Sequence, residues 1–214
     1  MASALDRLVT QIRACRICVD EPIGAPLAHE PRPVLRVSRT ARIAIVGQAP
    51  GTRVHASGIP FTDPSGERLR AWMGVTPEVF YDVRRIAIVP MGFCYPGQEA
   101  TGGDLPPRRE CAPRWRERVF EQLSQFELML LVGGYAQRWH LGSRAKASVT
   151  ATVEDWRAIF EAPDHPRCLP LPHPSWGNNA WLKAHPAFEL ELLPRLQAEV
   201  RALLCDGKNL RRSP

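Results

Sequence analysis

The chain has 214 residues, 44% of them hydrophobic and 23% charged, with a formal net charge of +6. Those proportions are ordinary for a globular protein, and the length suits one domain with a sizeable core. No apolar run reaches the length of a membrane span, and Met1 to Thr10 lacks the apolar centre of a secretory signal, so the expected setting is the cytoplasm.

Leu5, Leu8, Val9 and Ile12 recur at helical spacing, which predicts a short helix over 3–15 leading into Cys15. Residues 20–40 carry four prolines and no sustained period, and read as an ordered loop. A first buried strand is expected over 42–47, ending in the Gly/Pro turn Gly47-Gln48-Ala49-Pro50-Gly51. Phe61 and Asp63 follow just before a helix over 65–73, for which Ser65 is the expected N-cap, and another helical turn is expected at 76–81. Ile86 to Val89 reads as the second strand, and the Gly/Pro-rich stretch 92–107 as a loop. A helix over 113–125 precedes a third strand, Leu128 to Val132, which ends in Gly133-Gly134 before a helix over 136–141. Cys168 to Leu171 is the fourth strand and opens into Pro172-His173-Pro174-Ser175. The last helix is expected over 186–204, closing a single domain over 1–207; the basic tail 208–214 reads as disordered.

Strands alternating with helices predict an α/β fold, a three-layer αβα sandwich around a mostly parallel four-stranded sheet. Ligands bind such sheets beyond the carboxyl ends of the strands. The loops 47–63, 90–111 and 172–179 all fall there, so they are expected to converge on one site.

Gly47, Pro50 and Gly51 let backbone amides approach a ligand closely. Phe61 offers a ring on which a planar base can stack, or else packs into the core. Asp63 suits stabilisation of a positively charged, sugar-like transition state and orientation of a water; it equally suits a helix N-cap. His173, fixed between two prolines, can donate a hydrogen bond to a leaving base, or sit on a surface turn. The basic balance, with pairs such as Arg84-Arg85, Arg108-Arg109 and Arg211-Arg212, favours a polyanionic partner or serves solubility alone. Six cysteines in a cytoplasmic chain are not expected to form structural disulfides. Cys15, Cys18, Cys94 and Cys111 suit zinc or an iron–sulfur cluster, or are simply buried, while Cys168 and Cys205 stand apart.

Taken in order, these motifs resemble the iron–sulfur branches of the uracil-DNA glycosylase superfamily, families four and five. Gly47 to Gly51 is similar to the first active-site motif of those branches. Phe61 matches the phenylalanine that stacks on the flipped base, and His173-Pro174-Ser175 the histidine motif of the last loop. Gln48 stands where one branch carries a glutamate, and Pro90 falls near that branch's uracil-reading asparagine. Asp63 matches the aspartate that family five, tolerant of deaminated purines, places after the phenylalanine. The 95–110 stretch has no histidine of the kind a covalent-trapping branch uses.

The resemblance implies a monofunctional glycosylase acting as a monomer on DNA that contains deaminated bases: uracil, with hypoxanthine or xanthine besides. It implies catalytic roles for Asp63 and His173 and base contacts from Gly47, Gln48, Ala49, Phe61 and Asn178. Ser175, Trp176 and Gly177 would press into the minor groove, and Arg108 and Arg109 would meet phosphates. Cys15, Cys18, Cys94 and Cys111 would hold a structural [4Fe-4S] cluster, with zinc as the alternative. A non-catalytic nucleic-acid-binding module that keeps the fold and the cluster is the other reading.

Overall fold

The computed structural model describes residues 2–100 and 102–209, of which 206–209 are described by their backbone alone. Four strands form the sheet: β1 (Ile43–Val46), β2 (Ile86–Ile88), β3 (Leu128–Val132) and β4 (Arg167–Leu171). Their order is β2-β1-β3-β4, and every neighbouring pair is parallel, so the sheet is fully rather than mostly parallel. Ile43 pairs with Ile86 on one side and Leu128 on the other, and Met129 with Cys168.

The strands are apolar throughout because both faces are covered. Alternation along each strand sorts the residues into two cores. Ala44, Val46, Ala87, Met129 and Leu131 face a layer built by α1 (Ala4–Arg13), α6 (Cys111–Glu121) and α7 (Gly134–Leu141), through Leu8, Ile12, Trp115 and Ala136. Ile43, Ile45, Ile88, Leu130 and Leu169 face the opposite layer, where α4 (Pro64–Met73), α5 (Pro77–Tyr81) and α11 (Leu193–Asn209) supply Leu69, Trp72, Phe80 and Leu196. This is the three-layer arrangement the sequence predicts.

Several boundaries differ from expectation for local reasons. Asp63, not Ser65, caps α4: its carboxylate accepts from the Gly66 amide at 3.0 Å, and Pro64 takes the first helical position, where a missing N–H costs nothing. α6 begins at Cys111 and ends at Glu121, earlier at both ends than 113–125. α2 (Ile17–Asp20), α3 (Thr52–Ser57), α8 (Val149–Glu154), α9 (Trp156–Glu161) and α10 (Asn179–Ala184) are further helices in stretches that show no helical period. The final helix opens with a π-helical turn, Phe188–Leu192, and continues through Asn209, so the first two residues of the expected tail extend it; 210–214 lie outside the described residues. Among the described residues no helix is long and apolar enough to cross a membrane.

Candidate active site

The carboxyl ends of all four strands open into one pocket, of about 610 Å³ counting its open mouth. β1 delivers Gly47 through Gly51 to it, and β2, β3 and β4 deliver Pro90, Val132 and His173. Phe61 and Asp63 come from the approach to α4 and Ser65 from its first turn. The expected residues Gly47, Gln48, Ala49, Phe61, Asp63 and His173 are thus gathered around one space.

Two polar lining residues escaped the sequence reading. Asp104, from the 92–107 loop, adds a second carboxylate, and Ser65 turns into the pocket instead of capping α4. The signal for Asp104 was weak: an acid after Gly102-Gly103, on a loop that the topology sends to the sheet's carboxyl edge. Gly51 leaves it room, since a Cβ at that position would lie 3.2 Å from its Oδ2.

Phe61 takes a left-handed backbone conformation, φ +57°, the one positive φ outside glycine among the described residues. Its ring meets the buried Phe80 edge to face, with centroids 5.9 Å apart. Asp63 is committed to its cap through Oδ1.

Burial lowers the pKa of His173 below the ordinary 6.5, against the opposing pull of the Asp63 and Asp104 carboxylates. The imidazole is therefore neutral at neutral pH and keeps one N–H to donate. The His173 main-chain carbonyl oxygen accepts from Asn178 Nδ2 at 2.6 Å, a bond that braces the histidine loop, and Asn178 is not among the residues that line the pocket.

Outside the pocket, Trp176 is 63% exposed at the tip of the loop that carries Ser175 and Gly177. Arg109 is exposed, whereas Arg108 is ion-paired to the buried Glu110 at 2.7 Å. Glu110 also accepts from the Ile23 amide, so Arg108 is tied into the loop packing and less available to a phosphate.

Cys18, Cys94 and Cys111 are buried and Cys15 is half-buried, all with free thiols. Burial raises the pKa values of Cys18, Cys94 and Cys111, the last to about 12, and the neighbouring cysteines push Cys94 higher still. The Phe93 amide donates to Cys111 Sγ and the Trp115 indole to Cys15 Sγ, each at 3.3 Å. Among the described residues, no group of three or more Cys, His, Asp or Glu side chains is arranged to hold a metal ion.

Beneath the pocket, Arg116 is 1% exposed and donates to the carbonyl oxygens of Val89 and Pro90, fixing the end of β2. It meets His140 on its other side, and burial beside this cation lowers the His140 pKa to about 3.

The family model described as the uracil DNA glycosylase superfamily matches residues 36–197, most of the chain and every strand of the sheet.

Proposed function

The chain belongs to the uracil DNA glycosylase superfamily, and from that premise we propose that it hydrolyses the N-glycosidic bond of a deaminated base in DNA without cutting the strand. The observation that carries this reading is the convergence of Phe61, Asp63 and His173 on one pocket.

A base must leave the helical stack to reach such a pocket, at a cost of a few kcal/mol that is lowest at damaged or mispaired positions. The extruded base stacks on Phe61, with the Gly47–Ala49 backbone along its edge. As the bond from C1′ to the base nitrogen lengthens, positive charge gathers on the sugar and negative charge on the base. Asp63 stabilises the sugar cation and orients the water that attacks C1′, with Asp104 adding a second carboxylate from the facing loop. Neutral His173 donates to the departing base anion, which fits the depressed pKa of its imidazole. Trp176 fills the space the base vacates, and Arg109 meets a phosphate.

The donor chemistry of Cys15, Cys18, Cys94 and Cys111, four thiols of which two already accept N–H hydrogen bonds, suits a [4Fe-4S] cluster or zinc, although among the described residues the four side chains are not arranged around an ion. Such a group supplies a structural cross-link, and these residues would use it to fasten α1 and α2 to the 92–111 loop. The protein would act as a monomer in the cytoplasm.

Pro90 and Gln48 favour a second reading, a binding module without chemistry, because Pro90 has no side-chain donor with which to read a base. Oligonucleotides bearing uracil, hypoxanthine or xanthine separate the two readings. A glycosylase releases free base and leaves alkali-labile sites; a binder retains the DNA and makes none.

A further inference from the structure

We infer that Tyr81 and Arg70 are positioning residues that preset Phe61 for base stacking. The inference rests on the reading of Phe61 as the stacking ring and extends it to two side chains that do not line the pocket.

The starting point is the Phe61 backbone. A φ of +57° is rare for a bulky residue and persists only where its surroundings hold it. Three contacts do so, all on the Phe61 carbonyl. The Tyr81 hydroxyl donates to that oxygen at 2.8 Å, and Arg70 Nη1 donates to it at 3.2 Å. Gly66 is the third: a Cβ there would lie 1.9 Å from the same oxygen, so only glycine lets the carbonyl point into the first turn of α4.

The two donors are themselves fixed. Arg70 Nη1 also donates to the Tyr81 hydroxyl at 3.3 Å, and Arg36 holds the Tyr81 backbone carbonyl at 2.7 Å. Turning the carbonyl in this way aims the ring. On one side it meets Phe80 edge to face, and its Cζ reaches toward Gly47, where a Cβ would stand 3.5 Å away. The ring is therefore held between α5 and the first loop before any base arrives. Preorganisation of this kind strengthens binding by removing the ordering cost that a mobile ring would add.

Tyr81→Phe deletes one oxygen and keeps the aromatic packing. On a single-stranded oligonucleotide containing uracil, it should raise KM about three- to tenfold, the range expected for one lost hydrogen bond. The kcat should stay within about twofold and thermal unfolding near that of the parent, because the hydroxyl touches no reacting atom. Arg70→Met should shift KM the same way by less, since its bond to the carbonyl is longer. Phe61→Ala should raise KM about tenfold or more, and adding Tyr81→Phe to it should cost nothing further, because residues acting through one ring are not additive.

If Phe61→Ala raises KM but Tyr81→Phe does not, or if the two losses add, the positioning role is overturned and the stacking reading stands. An unchanged KM in Phe61→Ala overturns the stacking reading itself, and the inference with it.

Discussion

The Arg68 guanidinium lies 4.6 Å from the centre of the Trp176 indole. The same group donates to the Ser175 carbonyl at 2.8 Å and to Asn179 Oδ1 at 2.7 Å. Together with the Asn178 bond to His173, this ties α4, which Asp63 caps, to the loop that carries both the histidine and the exposed tryptophan. A cation over an indole is worth about 0.5–2 kcal/mol, enough to favour one orientation of the exposed Trp176 ring.

Arg68→Ala should therefore lower kcat/KM on duplex substrate about tenfold and leave single-stranded substrate less affected, because only a duplex has a stack to be filled. Matched single- and double-stranded oligonucleotides measure this. Equal losses on both would instead assign Arg68 to the general integrity of α4.

β1, β2 and β3 were legible in the sequence because each lies in an unbroken apolar run that stops at Gly or Pro, and burial on both faces leaves no other reading of Ile43–Val46 or Leu128–Val132; β4 opens on Arg167 and carries Pro170 within it. The gathering of Phe61, Asp63 and His173 was legible too, since a parallel sheet sends those loops to one edge. Residues whose roles depend on partners far along the chain were not. Ser65 and Asp63 are both good cap formers, and the choice was made by Pro64 and by the close approach of Gly66 to Phe61. Asp104 sits forty-one residues beyond Asp63 on an irregular loop. The bond from Asn178 to the His173 carbonyl depends on the fold of the last loop and has no mark in the sequence. Short helices such as α3 and α8 have too few turns to show a period.

The histidines predict a pH dependence. In the folded protein His140 titrates at about 3, against an ordinary value of 6.5, because burial and Arg116 disfavour its charged form. Below pH 6.5 the unfolded chain takes up a proton that the folded chain refuses, so stability falls as the pH falls. The contribution is complete above pH 6.5 and lost progressively toward pH 3. His55 and His173, also lowered, act in the same direction. Urea midpoints should decline between about pH 6.5 and 5.5, above the range where carboxylates titrate, and His140→Gln should flatten that decline. An unchanged slope in the variant would contradict a neutral His140.

The His173 imidazole predicts a related kinetic profile. Its lowered pKa keeps it neutral through the physiological range, so kcat should be flat from about pH 8 to 6.5 and fall only in more acidic buffer. A kcat that rises as the pH drops through 6.5 would mean that the charged imidazolium is the working form.

The cysteines predict a composition. Protein purified without oxygen should hold about four iron atoms per chain with visible charge-transfer absorbance, or one zinc without it. Cys18→Ser or Cys94→Ser should lose that metal and lower the unfolding midpoint. Metal-free protein whose stability is indifferent to either substitution would reduce the four residues to core packing.

The most direct test compares the parent chain and Asp63→Asn under single-turnover conditions on a uracil-containing oligonucleotide, with alkali to reveal abasic sites. Asparagine caps a helix as well as aspartate does, so thermal unfolding should hardly move. The parent should convert the substrate to alkali-labile product, and the variant should do so about 10²–10³-fold more slowly, as expected when a transition-state charge loses its partner. Equal rates would leave Asp63 as a helix cap alone, and no product from the parent chain would contradict a glycosylase acting on uracil.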